Sequence, residues 1–199
     1  MALLEPYRIR GAGFRSGGLG FLLLAALAFV FAAALRAASS ATEAKEYQIK
    51  AVFLFNFAQF VEWPPAAFPS PQAPLIIGIL GDDPFGSYID EAVRDEKVNN
   101  RPLEIRRFAR IEDLTDCHIL FICKSESGRL DRILDRLNGK SVLTVSDMDE
   151  FSKAGVMIRF VMESSKVRLK INIRAAKQAH LTISSKLLRP AEIVSMRGL

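Results

Sequence analysis

The fifteen residues Lys50 to Pro64, KAVFLFNFAQFVEWP, constrain this chain most, because they are too apolar for an ordinary surface helix. At helical spacing Phe53, Phe57 and Phe60 share one face and Tyr47, Ala51, Leu54, Ala58 and Val61 another, leaving Gln48, Asn56, Gln59 and Glu62 for water. A helix apolar over most of its circumference needs cover on more than one side, from its own core alone or from its core and a second chain. The pattern predicts a central helix ended by Pro64-Pro65, since proline disfavours helical geometry in the residue before it. Phe53, Phe57, Phe60 and Trp63 are its candidate partner-binding residues, with Phe57 expected to face outward.

The N-terminus has the three parts of a secretory signal. Arg8, Arg10 and Arg15 precede an apolar run from Leu19 to Leu35, and Ala37-Ala38-Ser39-Ser40-Ala41 supplies the small-residue exit. The reading divides the chain into a signal peptide, residues 1–41, and one domain, residues 42–199. An uncleaved anchor is the alternative, because the run is just short of the ~20 residues that span a bilayer. No cysteine lies near the junction, which excludes a bacterial lipoprotein anchor. The greater positive charge on the N-terminal side keeps that side cytoplasmic and sends the remainder out.

Charge must be read without the leader. Four of the 27 basic and one of the 22 acidic residues fall in it, so the remainder carries about +2 rather than +5. That balance gives nucleic-acid binding little support. Residues 42–199 suffice for one compact domain with a sizeable core, and no repeat or long linker divides them.

Within that domain short apolar runs alternate with helical patterns. Strands are expected at Leu75 to Leu80, Leu103 to Phe108, Cys117 to Cys123 and Val142 to Val145. Helices are expected at Pro84 to Arg94 and Ser125 to Leu137, with a turn at Ile111 to Leu114 and a short helix from Ser146-Asp147 to Phe151. Val156 to Met162 and Val167 to Ile173 read as an antiparallel hairpin, followed by helix over Arg174 to His180 and Ser185 to Ile193. Such alternation implies a mostly parallel sheet covered on both faces, so the predicted fold is a single three-layer α/β/α domain with a C-terminal antiparallel hairpin.

The residues carry little catalytic chemistry. Asp82-Asp83 follows the first strand as in a phosphorylated receiver domain, yet CHILFI ends in Cys123-Lys124 where a phosphoacceptor aspartate would stand. The acidic pair reads instead as a solvated helix cap. Gly78, Gly81 and Gly86 do not form a dinucleotide-binding turn, and no nucleophile elbow is present. His118 and His180 lack metal-ligand spacing to acids or cysteines, so neither metal nor cofactor is expected. Cys117 and Cys123 are six residues apart in one strand, roughly 20 Å at ~3.3 Å per residue. A disulfide needs about 4.4 to 6.8 Å, so the two do not pair with each other, and each is expected to be a buried thiol or else a partner in an intermolecular bridge.

The Trp-Pro ending of the Phe-rich helix resembles the signature helix of the YfiR family of periplasmic regulators. GILGDDPFG at 78–86, CHILFI at 117–122, SVLTVSD at 141–147, KVRLKIN at 166–172 and ISSKLL at 183–188 resemble that family's successive motifs in its own order. The resemblance implies a non-catalytic periplasmic protein that binds and represses a membrane signalling enzyme, in the best-known system a diguanylate cyclase. It also implies a homodimer and an outer-membrane lipoprotein as a further partner. The alternative is a small-molecule binding module beside the C-terminal hairpin, with Arg174, His180 and Lys186 as anion contacts.

Overall fold

The computed structural model describes residues 17–148 and 155–194. The chain divides into two compact units, Met1–Glu43 and Ala44–Leu199. Helix α1 (Gly17–Phe60) supplies the helical part of the first unit and the Phe-rich segment of the second. Among the described residues no helix is long and apolar enough to cross a membrane.

The second unit is built on an eight-stranded sheet. Its strands are β2 (Leu75–Leu80), β3 (Lys97–Val98), β4 (Arg101–Phe108), β5 (Ile119–Ile122), β6 (Leu143–Ser146), β7 (Ile158–Glu163), β8 (Lys166–Ile171) and β10 (Glu192–Ile193), in the order β10-β8-β7-β6-β5-β2-β4-β3. All pairs are parallel except β3 with β4 and β7 with β8. The fold is therefore the expected mostly parallel α/β sheet with an antiparallel C-terminal hairpin. Every residue of β2, β5 and β6 is buried, as strands covered on both faces must be.

Side-chain alternation along those strands feeds two cores. Ile77, Ile79, Ile119, Phe121, Leu143 and Val145 pack on one face beneath α1, α2 (Ser87–Val93) and α4 (Ile173–Gln178). Ile76, Leu80, Leu120 and Ile122 face the other way, toward Leu130, Ile133 and Leu137 of α3 (Leu130–Leu137). The chain moves from β2 to β4 through α2 in one direction and from β5 to β6 through α3 in the other. Right-handed crossovers then require the two helices to lie on opposite faces, as they do. Gly81 closes β2 in the left-handed region at φ +97°, where an added Cβ would stand 2.4 Å from Ser125 Oγ.

Several element boundaries differ from expectation for tertiary reasons. The Phe-rich helix ends at Phe60 rather than at Pro64, because Val61 and Glu62 form β1 (Val61–Glu62) and pair antiparallel with β9 (Thr182–Ile183). The Ser184 amide also donates to the Phe60 carbonyl at 2.8 Å. Residues 124–129 are 3₁₀ rather than α-helical. The last helix, α5 (Ser185–Leu188), stops after four residues, and Glu192 and Ile193 extend beside β8 instead. The helix expected through Phe151 lies partly outside the described residues; Ser146 itself is in β6.

Candidate functional site: the cleft beside Trp63

Where α1 gives way to β1, the chain turns through a 3₁₀ segment, Pro65–Ala67, before entering β2. This turn faces the β3–β4 hairpin, whose two-residue loop Asn99-Asn100 has φ of 51° and 65°. Both residues left-handed is the geometry of a turn that matches strand twist, and asparagine tolerates it. Between the two lies a cleft of about 330 Å³, lined among others by Glu62, Trp63, Phe68, Val98, Asn99 and Arg101.

The cleft's base is an aromatic and cationic stack. The Arg101 guanidinium carbon sits 3.7 Å from the Phe68 ring centre, and the Phe68 ring lies 4.3 Å from the His118 ring, nearly parallel at 18°. Trp63 meets His118 edge-on and donates its indole N–H to the His118 carbonyl at 3.1 Å. His118 Nδ1 accepts from the Ile76 amide at 3.0 Å, so Nδ1 carries no proton. Nε2 therefore donates to the Ala67 carbonyl at 3.2 Å. Burial depresses the His118 pKa below its ordinary value, against the raising effect of the Ala67 contact. The expected structural role of His118 is what these bonds describe, since it ties the 64–74 loop to β5.

The other expected site residues are dispersed. Phe57 is 0% exposed, its ring stacked on Phe160 at 5.7 Å, so the outward placement is corrected. The inward face of α1 is wider than either face read from the sequence and contains Tyr47, Lys50, Ala51, Leu54, Phe57 and Ala58, and buried Val61 follows in β1. Phe53 and Phe60 are half-buried against the same core. The large apolar side chains turned outward are Ile49, 41% exposed, and Val52, 52% exposed, neither of them among the candidate partner residues. Arg174, His180 and Lys186 are all exposed, and none lines the cleft. Lys186 alone approaches α1, with Nζ 6.0 Å from the Phe60 ring centre.

A second polar cluster fixes α1 to the sheet. Lys50 Nζ lies 2.5 Å from Asp147 Oδ2 and 2.5 Å from Glu46 Oε1, and the Tyr47 hydroxyl donates to the same Asp147 oxygen at 2.8 Å. Lys50 also stands 4.2 Å from the Tyr47 ring centre. A lysine among Tyr47, Ala51 and Leu54 at inward spacing signals a buried ion pair, but Asp147 is 97 positions away, and sequence alone does not choose the partner.

Asp83 is not the expected solvated helix cap: α2 begins at Ser87 with Gly86 at its N-cap and no side-chain cap, and Asp83 accepts from the Phe85 amide in the preceding loop at 2.7 Å while holding Arg107 at 2.8 Å. Among the described residues no group of three or more His, Cys, Asp or Glu side chains is placed to hold a metal ion. Cys117 and Cys123 are buried, free thiols flanking β5.

Fold and site together define a small three-layer α/β domain whose first helix is shared between its own core and an apolar outer stripe. The chain belongs to the YfiR/HmsC-like family, whose family model matches residues 47–192. The match begins at Tyr47 and ends at Glu192, spanning β2 to β8 whole and reaching the first residue of β10. None of the curated proteins matches the chain.

Proposed function

We propose that this protein is an exported, non-catalytic regulator that acts in the periplasm by binding and restraining a membrane signalling enzyme, a diguanylate cyclase. Membership of the YfiR/HmsC-like family and the tripartite leader support the reading. The observation that carries it is the outer face of α1. Ile49 and Val52 stand one turn apart and exposed on the Phe-rich segment of α1, whose Tyr47, Ala51, Leu54, Phe57 and Ala58 are committed to the core. Half-buried Phe53, Phe55 and Phe60 extend the apolar surface around and along the helix. Such a stripe suits a second chain, either the membrane partner or a second copy of the protein. An outer-membrane lipoprotein that competes for the same regulator would relieve the repression.

The test is Val52→Glu, alone and with Ile49→Glu, in cells that carry the partner cyclase. Recovery of the cyclase with the tagged regulator should fall and cellular cyclic-di-GMP should rise, with the circular dichroism spectrum unchanged. Undiminished recovery and unchanged cyclic-di-GMP would remove this face of α1 from the contact.

A further inference from the structure

The cleft beside Trp63 holds a cation that the fold prepares and does not consume. Arg101 opens β4 directly after the Asn99-Asn100 turn. Its Nη1 donates to the Ser70 and Ala73 carbonyls at 2.8 Å each, while the planar group lies over Phe68. A guanidinium carries five N–H donors. With Nη1 occupied, Nε and Nη2 keep the others, and among the described residues the structure shows no acceptor for them. The Nε and Nη2 edge of a guanidinium offers two parallel N–H groups, the geometry that a carboxylate accepts as a fork.

The rest of the lining selects among anions. Trp63, Phe68 and Val98 supply flat or apolar wall, and the cleft volume of about 330 Å³ lies at the low end of small-molecule sites. Glu62 lines the same cleft and is exposed, so its carboxylate opposes a multiply charged ligand more than a singly charged one.

We propose that this cleft binds a small monocarboxylate with a flat apolar body, its carboxylate forked on Arg101 and its body against Trp63 and the edge of the Phe68 ring, whose faces Arg101 and His118 already cover. This site is separate from the outer face of α1, so the proposal stands or falls independently of the regulatory reading.

Trp63 is the only tryptophan in the chain, so its emission reports on the cleft directly. The purified protein is titrated with 3-phenylpropanoate, with the uncharged 3-phenylpropanamide and with inorganic phosphate. The carboxylate should change Trp63 emission saturably, and the amide and phosphate should bind about tenfold more weakly or worse, the loss expected when the charge-assisted fork is missing. Arg101→Gln should weaken the carboxylate to the level of the amide. Because that variant also releases Ser70 and Ala73, Glu62→Gln serves as a second probe that leaves Arg101 in place. It should tighten carboxylate binding about threefold by removing a nearby like charge. Equal binding of acid and amide, phosphate binding as tight as the acid's, no saturable emission change, or an unchanged affinity in Glu62→Gln would each overturn the proposal.

Discussion

Lys50 and Asp147, 97 positions apart in sequence, meet in the interior with Nζ 2.5 Å from Oδ2. The pair joins the C-terminal part of α1 to the residue that follows β6. Two charges removed from water are costly unless each answers the other, so breaking the pair costs more than replacing it. Lys50→Met should destabilise the fold by about 3 to 5 kcal/mol in chemical denaturation, since it leaves the Asp147 carboxylate buried with only the Tyr47 hydroxyl and the more distant Lys124. Lys50→Met combined with Asp147→Asn should recover part of that loss. Equal losses in the single and the double variant would argue against coupling between the two.

Phe57 and Val52 give opposite results from the same substitution. Phe57→Glu places an unpaired carboxylate between α1 and Phe160 and should abolish cooperative folding by circular dichroism. Val52→Glu enters solvent and should leave the thermal midpoint nearly unchanged while reducing self-association in sedimentation. A folded Phe57→Glu protein would contradict the burial of that ring.

His118 makes stability dependent on acidity. Its folded-state pKa lies below the ordinary 6.5, so the unfolded chain binds the proton more readily. The stabilisation is complete above about pH 6.5 and is lost as pH falls from there through the depressed folded value. Denaturation midpoints measured between about pH 7 and pH 5 should decline in the parent and decline less in His118→Gln, which does not titrate there. Identical slopes would leave the decline to the carboxylates.

The thiols of Cys117 and Cys123 should be unreactive in the native protein. Burial pushes the Cys117 pKa up to about 12, and burial raises that of Cys123 as well, so almost no thiolate exists near neutral pH. In denaturant both should titrate without prior reduction, giving two equivalents, the full cysteine content of the chain. Fewer than two would mean that a cysteine is oxidised or disulfide-bonded and would contradict the free thiols.

Export predicts that protein from the periplasmic fraction begins near Thr42 by N-terminal sequencing, after the Ser39-Ser40-Ala41 exit. Intact residues 1–41 in a membrane fraction would favour an uncleaved anchor.

The central strands were legible because each is a short apolar run ended by turn residues, as in Leu75 to Leu80 before Gly81-Asp82. The β7–β8 hairpin was legible too, its Ser164-Ser165 turn left-handed at φ of 49° and 60°. What escaped were β1, β3, β9 and β10, which have two residues each and no period to detect. β1, β9 and β10 exist because a distant strand is there to pair with, and β3 because the Asn99-Asn100 turn folds it back on β4. Phe57 was misplaced for a related reason. An aromatic every third or fourth residue marks a helix, but which arc faces the sheet depends on the strands opposite. Trp63 was singled out as a partner residue, whereas Arg101 was not, because the stack that fixes it draws on Phe68 and His118 from other segments.

The short β1–β9 ladder ties residues 61 and 62 to residues 183 and 182. Neither strand can form until both ends of the domain are present, so α1 has no finished C-terminus in a partly synthesised or partly translocated chain. Long-range closure of this kind delays folding, since the entropy of joining the ends must be spent before the contacts are made. If the chain is exported as proposed above, that delay would keep it threadable until its last residues are through.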